Sequence, residues 1–217
     1  GLLAWITTAK YLDHLPLYRI AQIAAREGVT LSLSTLAEWI GRVGVALQPL
    51  VDRLILHLLQ GRRVLHADET PVAQLDPGSG KTQRAYLWAY RSNDFELGPR
   101  IIVFDYQTSR SGKHVQNFLN RWQGHLLVDD YGGYKALFSQ TASPCTELGC
   151  WAHARRKFFD LHQANASTVA YEVLQRIGGL YAVEAEGKHL TIETRQQLRA
   201  EKSLPILQSL HDWLLQT

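Results

Sequence analysis

Methionine is absent from the 217 residues, cysteine occurs only as Cys145 and Cys150, and neither sign of charge is in large excess. No methionine stands at position 1 and the chain starts inside the apolar stretch GLLAWI, so it is expected to be a piece of a longer polypeptide. Two cysteines are too few for a disulfide framework, and the sequence opens without a basic apolar leader, so a reduced, cytoplasmic setting is expected. No apolar run approaches the roughly 20 residues of a membrane span, so neither spanning nor anchoring is expected. With 46% hydrophobic and 20% charged residues the balance is that of a globular chain with a sizeable core. The net charge of +3 fits a nucleic-acid partner without demanding one.

The order of periodicities divides the chain. Residues 1–61 read as helices. LPLYRIAQIAAREG carries helical spacing up to Gly28, and STLAEWIGRVGVALQPLVDRLILHLLQG has a capping box at Thr35 and Glu38 and a predicted kink at Pro49. A packed helical hairpin is preferred here over a helix-turn-helix. From Arg62 the period changes: RVLHAD, RAYLWAY and RIIVFDY read as three hairpin-linked strands, with a turn at 77–81. A helix from Ser111 to Trp122 follows, then the strand HLLVD, a turn around Tyr131–Tyr134 and a fifth strand, TELGCW. A strand, a crossover helix and another strand favour parallel pairing. From Ala152 the pattern is helical, broken near Gly187 and Pro205.

This order predicts an α+β fold with a ribonuclease-H-like mixed five-stranded sheet, in which the first and fourth strands are neighbours. Acids at their carboxyl ends, Asp68 and Asp129, would then converge. Neighbouring strands lie about 4.8 Å apart, within reach of two divalent ions about 3.5–4 Å apart. Side-chain alternation lets at most one of Asp68 and Glu69, and one of Asp129 and Asp130, face such a site. Acids at strand ends are also common turn formers, and Asp130-Tyr-Gly-Gly has turn composition. Both readings stay open on spacing alone.

The segments VLHADETPVAQLDPGSGKT, FDYQTSRSGKH, LVDDYGGYKALF and CWAHARRKFFDLH occur in the order of motifs of the insertion-sequence-66 family of bacterial transposases, which the chain resembles over nearly its whole length. The resemblance implies a DDE transposase that cleaves and joins DNA at mobile-element ends, using Mg2+ or Mn2+ held by Asp68 and Asp129. It also implies DNA partners at element ends and target, and a homo-oligomer assembled on that DNA. The family usually reads Asp-Gly-Tyr where this chain has Asp129-Asp130-Tyr131. In folds of this type the third acid, a Glu, sits on a helix after the fifth strand, often beyond a helical insertion. Residues 62–159 are therefore expected to be a partial catalytic core and 160–217 an insertion, with the true Glu outside this sequence. Glu184 is the best acid within it, although its apolar neighbours suit an ordinary amphipathic helix with one exposed acid. The alternatives are an inert DNA-binding remnant of a transposase and a metal-dependent nuclease without joining activity.

Candidate DNA contacts are His153, Arg155, Arg156 and Lys157 in CWAHARRKFF, together with Arg110 and Lys113 beside the predicted cap at Ser111. A charged helix face with Phe158, Phe159 and Leu161 turned inward is the plainer account of the first group. Cys145, Cys150, His153 and His162 could be read as zinc ligands, but the spacing is unlike that of a common zinc module. His66 shares a strand face with Asp68, and Tyr131 and Tyr134 could stack on an unpaired base. The six tryptophans are assigned to packing.

Overall fold

The computed structural model describes residues 1–139 and 145–217. By internal packing the chain forms two units, Gly1–Arg62 with Arg91–Val103, and Arg63–Tyr90 with Phe104–Thr217.

In the first unit, α1 (Leu2–Tyr11), α2 (Leu17–Arg26) and α3 (Leu33–Gly61) enclose a small core of Ile6, Ala9, Ile20 and Leu36, flanked by Trp39 and Ile40. The cap of α3 is Ser32, whose hydroxyl accepts from Thr35 N–H at 3.0 Å, so the helix begins before the expected capping box. Helix α3 runs through Pro49. The ring removes the hydrogen bond to the carbonyl of Val45, and Val45 is 77% exposed, so water can satisfy that oxygen. Arg62 donates to the carbonyls of Leu97 and Pro99, tying residues 91–103 to the end of α3.

The sheet comprises β1 (Val64–Asp76), β2 (Lys81–Ser92), β3 (Ile102–Gln107), β4 (Gly124–Val128) and β5 (Cys145–Gly149), in the order β3-β2-β1-β4-β5. Strand β4 pairs parallel with β1 and with β5. The turn between β1 and β2 is too short for anything but antiparallel pairing. This is the mixed five-stranded ribonuclease-H-like order expected from the sequence.

Between β3 and β4 lies α4 (Gly112–Leu119), capped by Ser111 and shorter than the expected Ser111–Trp122 helix. Asn120 follows with φ +47, which ends the helix. Where a turn around Tyr131–Tyr134 was expected, the chain forms the short helix α5 (Gly132–Phe138). Trp88 packs edge-on against Tyr134, and Tyr90 stacks on Phe118 at 3.7 Å, which sets α4 and α5 against the sheet.

The remaining helices are α6 (Trp151–Asn165), α7 (Thr168–Glu186), α8 (Ile192–Leu198) and α9 (Leu204–Leu214). Val173, Ile177 and Leu210 form their core, with Phe158 and Trp213 packed on it. Pro205 does not break this region. It sits in the first turn of α9, and the preceding turn, Arg199–Ser203, widens to π geometry where the proline lacks an N–H. No helix among the described residues is long and apolar enough to cross a membrane.

Candidate active site

Strand β1 runs through Asp68 to Asp76, so Asp68 lies within the strand rather than at its end. What ends nearby is the β1–β4 ladder, whose last paired residues are His66 and Leu127. Continuing that register by two places sets Asp68 opposite Asp129, the first residue after β4. Strand alternation puts Asp68 on the face of His66, and Asp129 would reach the same face where the chain stays extended past Leu127. Burial follows the alternation: Leu65, Ala67 and Glu69 are buried, whereas Asp68 is exposed.

Each candidate acid is oriented locally. Asp68 Oδ1 accepts from Glu69 N–H at 3.0 Å, and Asp129 Oδ1 accepts from Tyr131 N–H at 2.9 Å. The second contact is the turn-forming role that spacing alone had left open, and Asp129 plays it while half-buried. No hydrogen bond among the described residues engages Oδ2 of either acid.

Glu69 has the opposite environment. Its side chain is 1% exposed, and Oε1 accepts from Arg110 Nε at 2.8 Å and Nη2 at 2.5 Å. Its Oε2 accepts from Tyr134 Oη at 2.6 Å. Burial, then the hydrogen bond and charge of Glu69, push the Tyr134 phenol far above its ordinary range, so it stays a donor. The Arg110 guanidinium lies 3.7 Å over the ring of Tyr131, whose hydroxyl donates to the Arg110 carbonyl at 2.5 Å. Arg110 is therefore engaged with Glu69 through Nε and Nη2 while its side chain stays 42% exposed, and Tyr131 and Tyr134 are held in the same network. Lys113 is exposed on the first turn of α4. That turn closely approaches α5: a Cβ on Gly112 would meet the Gly133 carbonyl oxygen at 2.1 Å.

On the other side of Asp129 a cleft of about 540 Å³ is lined by Asp130, Glu147, Trp151, His153, Lys157 and Phe158 among others. Asp130 is exposed and pairs with Lys135 at 3.1 Å and Lys157 at 3.2 Å, and Lys135 also reaches Glu147 at 2.8 Å. Hydrogen bonds to the two lysines hold the Asp130 carboxyl below its usual range. His153 Nδ1 is buried without a hydrogen-bond partner among the described residues, and Arg155 and Arg156 are exposed. Of the three apolar residues expected to turn inward, Phe158 does so, whereas Phe159 and Leu161 are each 43% exposed. Trp88 and Trp122 are packed, but Trp5 and Trp151 are 39% and 41% exposed.

Glu184 lies on α7 in a two-pronged pair with Arg199, 2.7 Å at each oxygen, and this hydrogen bonding lowers its pKa. Among the described residues no three His, Cys, Asp or Glu side chains come together as a metal site, so Glu184 does not join Asp68 and Asp129. The same observation removes the zinc reading. Cys145 Sγ donates to the Trp122 carbonyl at 3.4 Å, and His162 Nδ1 donates to that of Ser167 at 3.0 Å.

The whole chain, residues 1–217, matches the family described as "Transposase IS66 family". The chain belongs to that family. Similar sequences include the uncharacterized proteins y4qI and y4jD of Sinorhizobium fredii (strain NBRC 101917 / NGR234). The first is 39% identical over 97% of this chain and 40% of its own length, the second 37% over 99% and 43%. The chain thus spans about two fifths of the relatives it matches. A solved structure titled "CryoEM structure of simian T-cell lymphotropic virus intasome in complex with PP2A regulatory subunit B56 gamma" aligns at TM-score 0.30 and 10% identity. It covers 64% of this chain and 47% of that one. The fold of this IS66 chain is identified by its sheet order, independently of that likeness.

Sequence reasoning missed Glu69 and Tyr134 as the organising pair, because their contact spans 65 residues. The available signal was alternation, which turns Glu69 away from the face of Asp68.

Proposed function

We propose that the chain is the central part of a DDE transposase that cleaves DNA at mobile-element ends and joins it to a target. In this reading residues 1–61 precede the catalytic core, 62–159 are the part of the core present here, and 160–217 are a helical insertion. The observation that supports it is the parallel β1–β4 register, which ends at His66 and Leu127, two residues before Asp68 and Asp129, and whose extension would set the two acids opposite each other.

Two carboxylates offer hard oxygen donors and leave most coordination positions to water and phosphate oxygens, a donor set suited to Mg2+ or Mn2+. Asp68 and Asp129 would hold such ions, which when bound supply an activated nucleophile and charge stabilisation at the scissile phosphate. The chain's own residues bind and orient DNA around that point. His153 and Lys157 line the cleft beside Asp129, and Arg155, Arg156 and Lys113 offer exposed positive or polar contacts to the backbone. Arg110 acts from behind the acids through Glu69. DNA partners, assembly as a homo-oligomer on DNA and a cytoplasmic setting belong to this proposal.

The ion pair of Glu184 with Arg199 favours a structural role for that acid and supports a third catalytic Glu outside these residues. The test compares this chain with a longer family polypeptide on labelled element-end DNA in Mn2+. The chain alone is expected to bind weakly and neither nick nor join, and the longer protein to do both, with loss in Asp68→Asn and Asp129→Asn. Cleavage by the chain alone that Glu184→Gln abolishes would overturn the placement of the third acid. Cleavage by the longer protein without strand transfer would favour the nuclease reading.

A further inference from the structure

The β1–β4 ladder stops at His66 and Leu127, two residues short of both candidate acids, so main-chain pairing does not fix their separation. Two carboxylates brought together to share a cation would repel each other, so their spacing calls for support beyond the ladder. A continuous run of contacts connects the two acids. Asp68 shares a peptide bond with Glu69, and its Oδ1 accepts the Glu69 N–H at 3.0 Å. The buried Glu69 carboxylate grips Arg110, between β3 and α4, and Tyr134 of α5. The Arg110 guanidinium lies 3.7 Å over the ring of Tyr131, and Tyr131 Oη donates a hydrogen bond to the Arg110 carbonyl at 2.5 Å. Tyr131 N–H then donates to Asp129 Oδ1 at 2.9 Å.

The geometry points to Glu69 as a positioning residue that sets the spacing and orientation of Asp68 and Asp129 for a shared divalent cation. The inference rests on the metal-dependent reading proposed above. Glu69 is not itself a ligand: three donors occupy its two oxygens, and alternation turns it to the opposite face. Its carboxylate charge matters because Arg110 presents a planar pair of donors. A carboxamide could still accept from Tyr134 but would set an NH2 against the guanidinium. That releases Arg110, and with it the platform under Tyr131 and the grip on Asp129.

The test measures Mn2+ affinity of the 217-residue chain by water-proton relaxation, well below each variant's melting temperature. The variants are Asp68→Asn, Glu69→Gln, Arg110→Lys and Leu119→Ala. Glu69→Gln is expected to weaken Mn2+ binding about 10- to 100-fold, as loss of outer-shell partners does. Arg110→Lys, which keeps the charge but loses the fork and the ring stacking, should weaken it as well and serves if Glu69→Gln fails to fold. Leu119 is buried in α4 outside this run of contacts, so Leu119→Ala should lower the melting temperature with affinity unchanged. Binding lost in Asp68→Asn but intact in Glu69→Gln and Arg110→Lys would overturn the positioning role and leave the metal site standing. An equal loss in Leu119→Ala would also overturn it, by reducing the effect to general stability. Mn2+ binding indifferent to Asp68→Asn would instead overturn the metal-dependent reading.

Discussion

Replacing Tyr134 by Phe removes one oxygen and leaves the buried ring against Trp88 and Tyr131. The ring is 0% exposed, so the substitution opens no large cavity, and its effect is the loss of the 2.6 Å hydrogen bond to Glu69. Hydrogen bonds to charged groups contribute about 1.5–3 kcal/mol, and here the carboxylate left behind is buried. For a chain of this length each kcal/mol moves the melting temperature by roughly 2–4 °C, so Tyr134→Phe should melt about 3–12 °C lower. Tyr131→Phe is the control, because its hydroxyl bonds a backbone carbonyl near the surface, a contact of about 0.5–1.5 kcal/mol. Urea unfolding followed by far-UV circular dichroism at pH 7 gives both numbers. The pH dependence adds a second reading. The folded-state pKa of Tyr134 lies above its unfolded value, so its contribution is complete below the ordinary tyrosine range and declines once pH exceeds about 10. Tyr134→Phe should flatten the loss of stability above that pH. A cost no larger than that of Tyr131→Phe, with an unchanged alkaline slope, would refute the idea that Glu69 is the organising acceptor.

Two further perturbations probe the surroundings. Asp130→Asn frees Lys157 from its pair while Lys135 keeps Glu147. Duplex binding followed by anisotropy across a KCl series should then show a salt slope steeper by about 0.9, one added phosphate contact, and an unchanged slope would contradict the pairing. The Glu184–Arg199 pair is 42–46% exposed, so Glu184→Gln should cost at most about 1 kcal/mol at pH 7. Because the folded pKa of Glu184 is lowered, that contribution is present above the unfolded carboxylate pKa and lost as pH falls through the folded one. Urea unfolding across a pH series descending from 7 should find the difference shrinking as the carboxylate takes up its proton.

The sheet order was legible because each step had a local signal: alternating strands joined by tight turns, then a capped crossover helix before the next apolar run. The length of β1 was not, because Pro71 and the polar residues after Asp68 lack an alternating apolar pattern, yet that arm is held as the partner of β2. Gly132 and Gly133 suggested a turn on propensity, and tertiary anchoring of Tyr134 at Glu69 made the segment a helix. Ser32 and Thr35 are both good caps, and the sequence offered no way to choose the first. Strand order nominated the two candidate acids, the family motifs then singled them out, and spacing alone left a turn-forming role open. The partners that hold them lie 41 to 65 residues from Glu69, beyond any periodicity.

The most direct measurement is a crystal of the chain grown in Mn2+ and recorded for anomalous scattering at the manganese edge. An anomalous peak between the carboxylates of Asp68 and Asp129, on the face of His66, is the predicted result. Manganese bound elsewhere, or the two carboxylates turned away from each other in its presence, would contradict the shared cation on which the proposed chemistry depends.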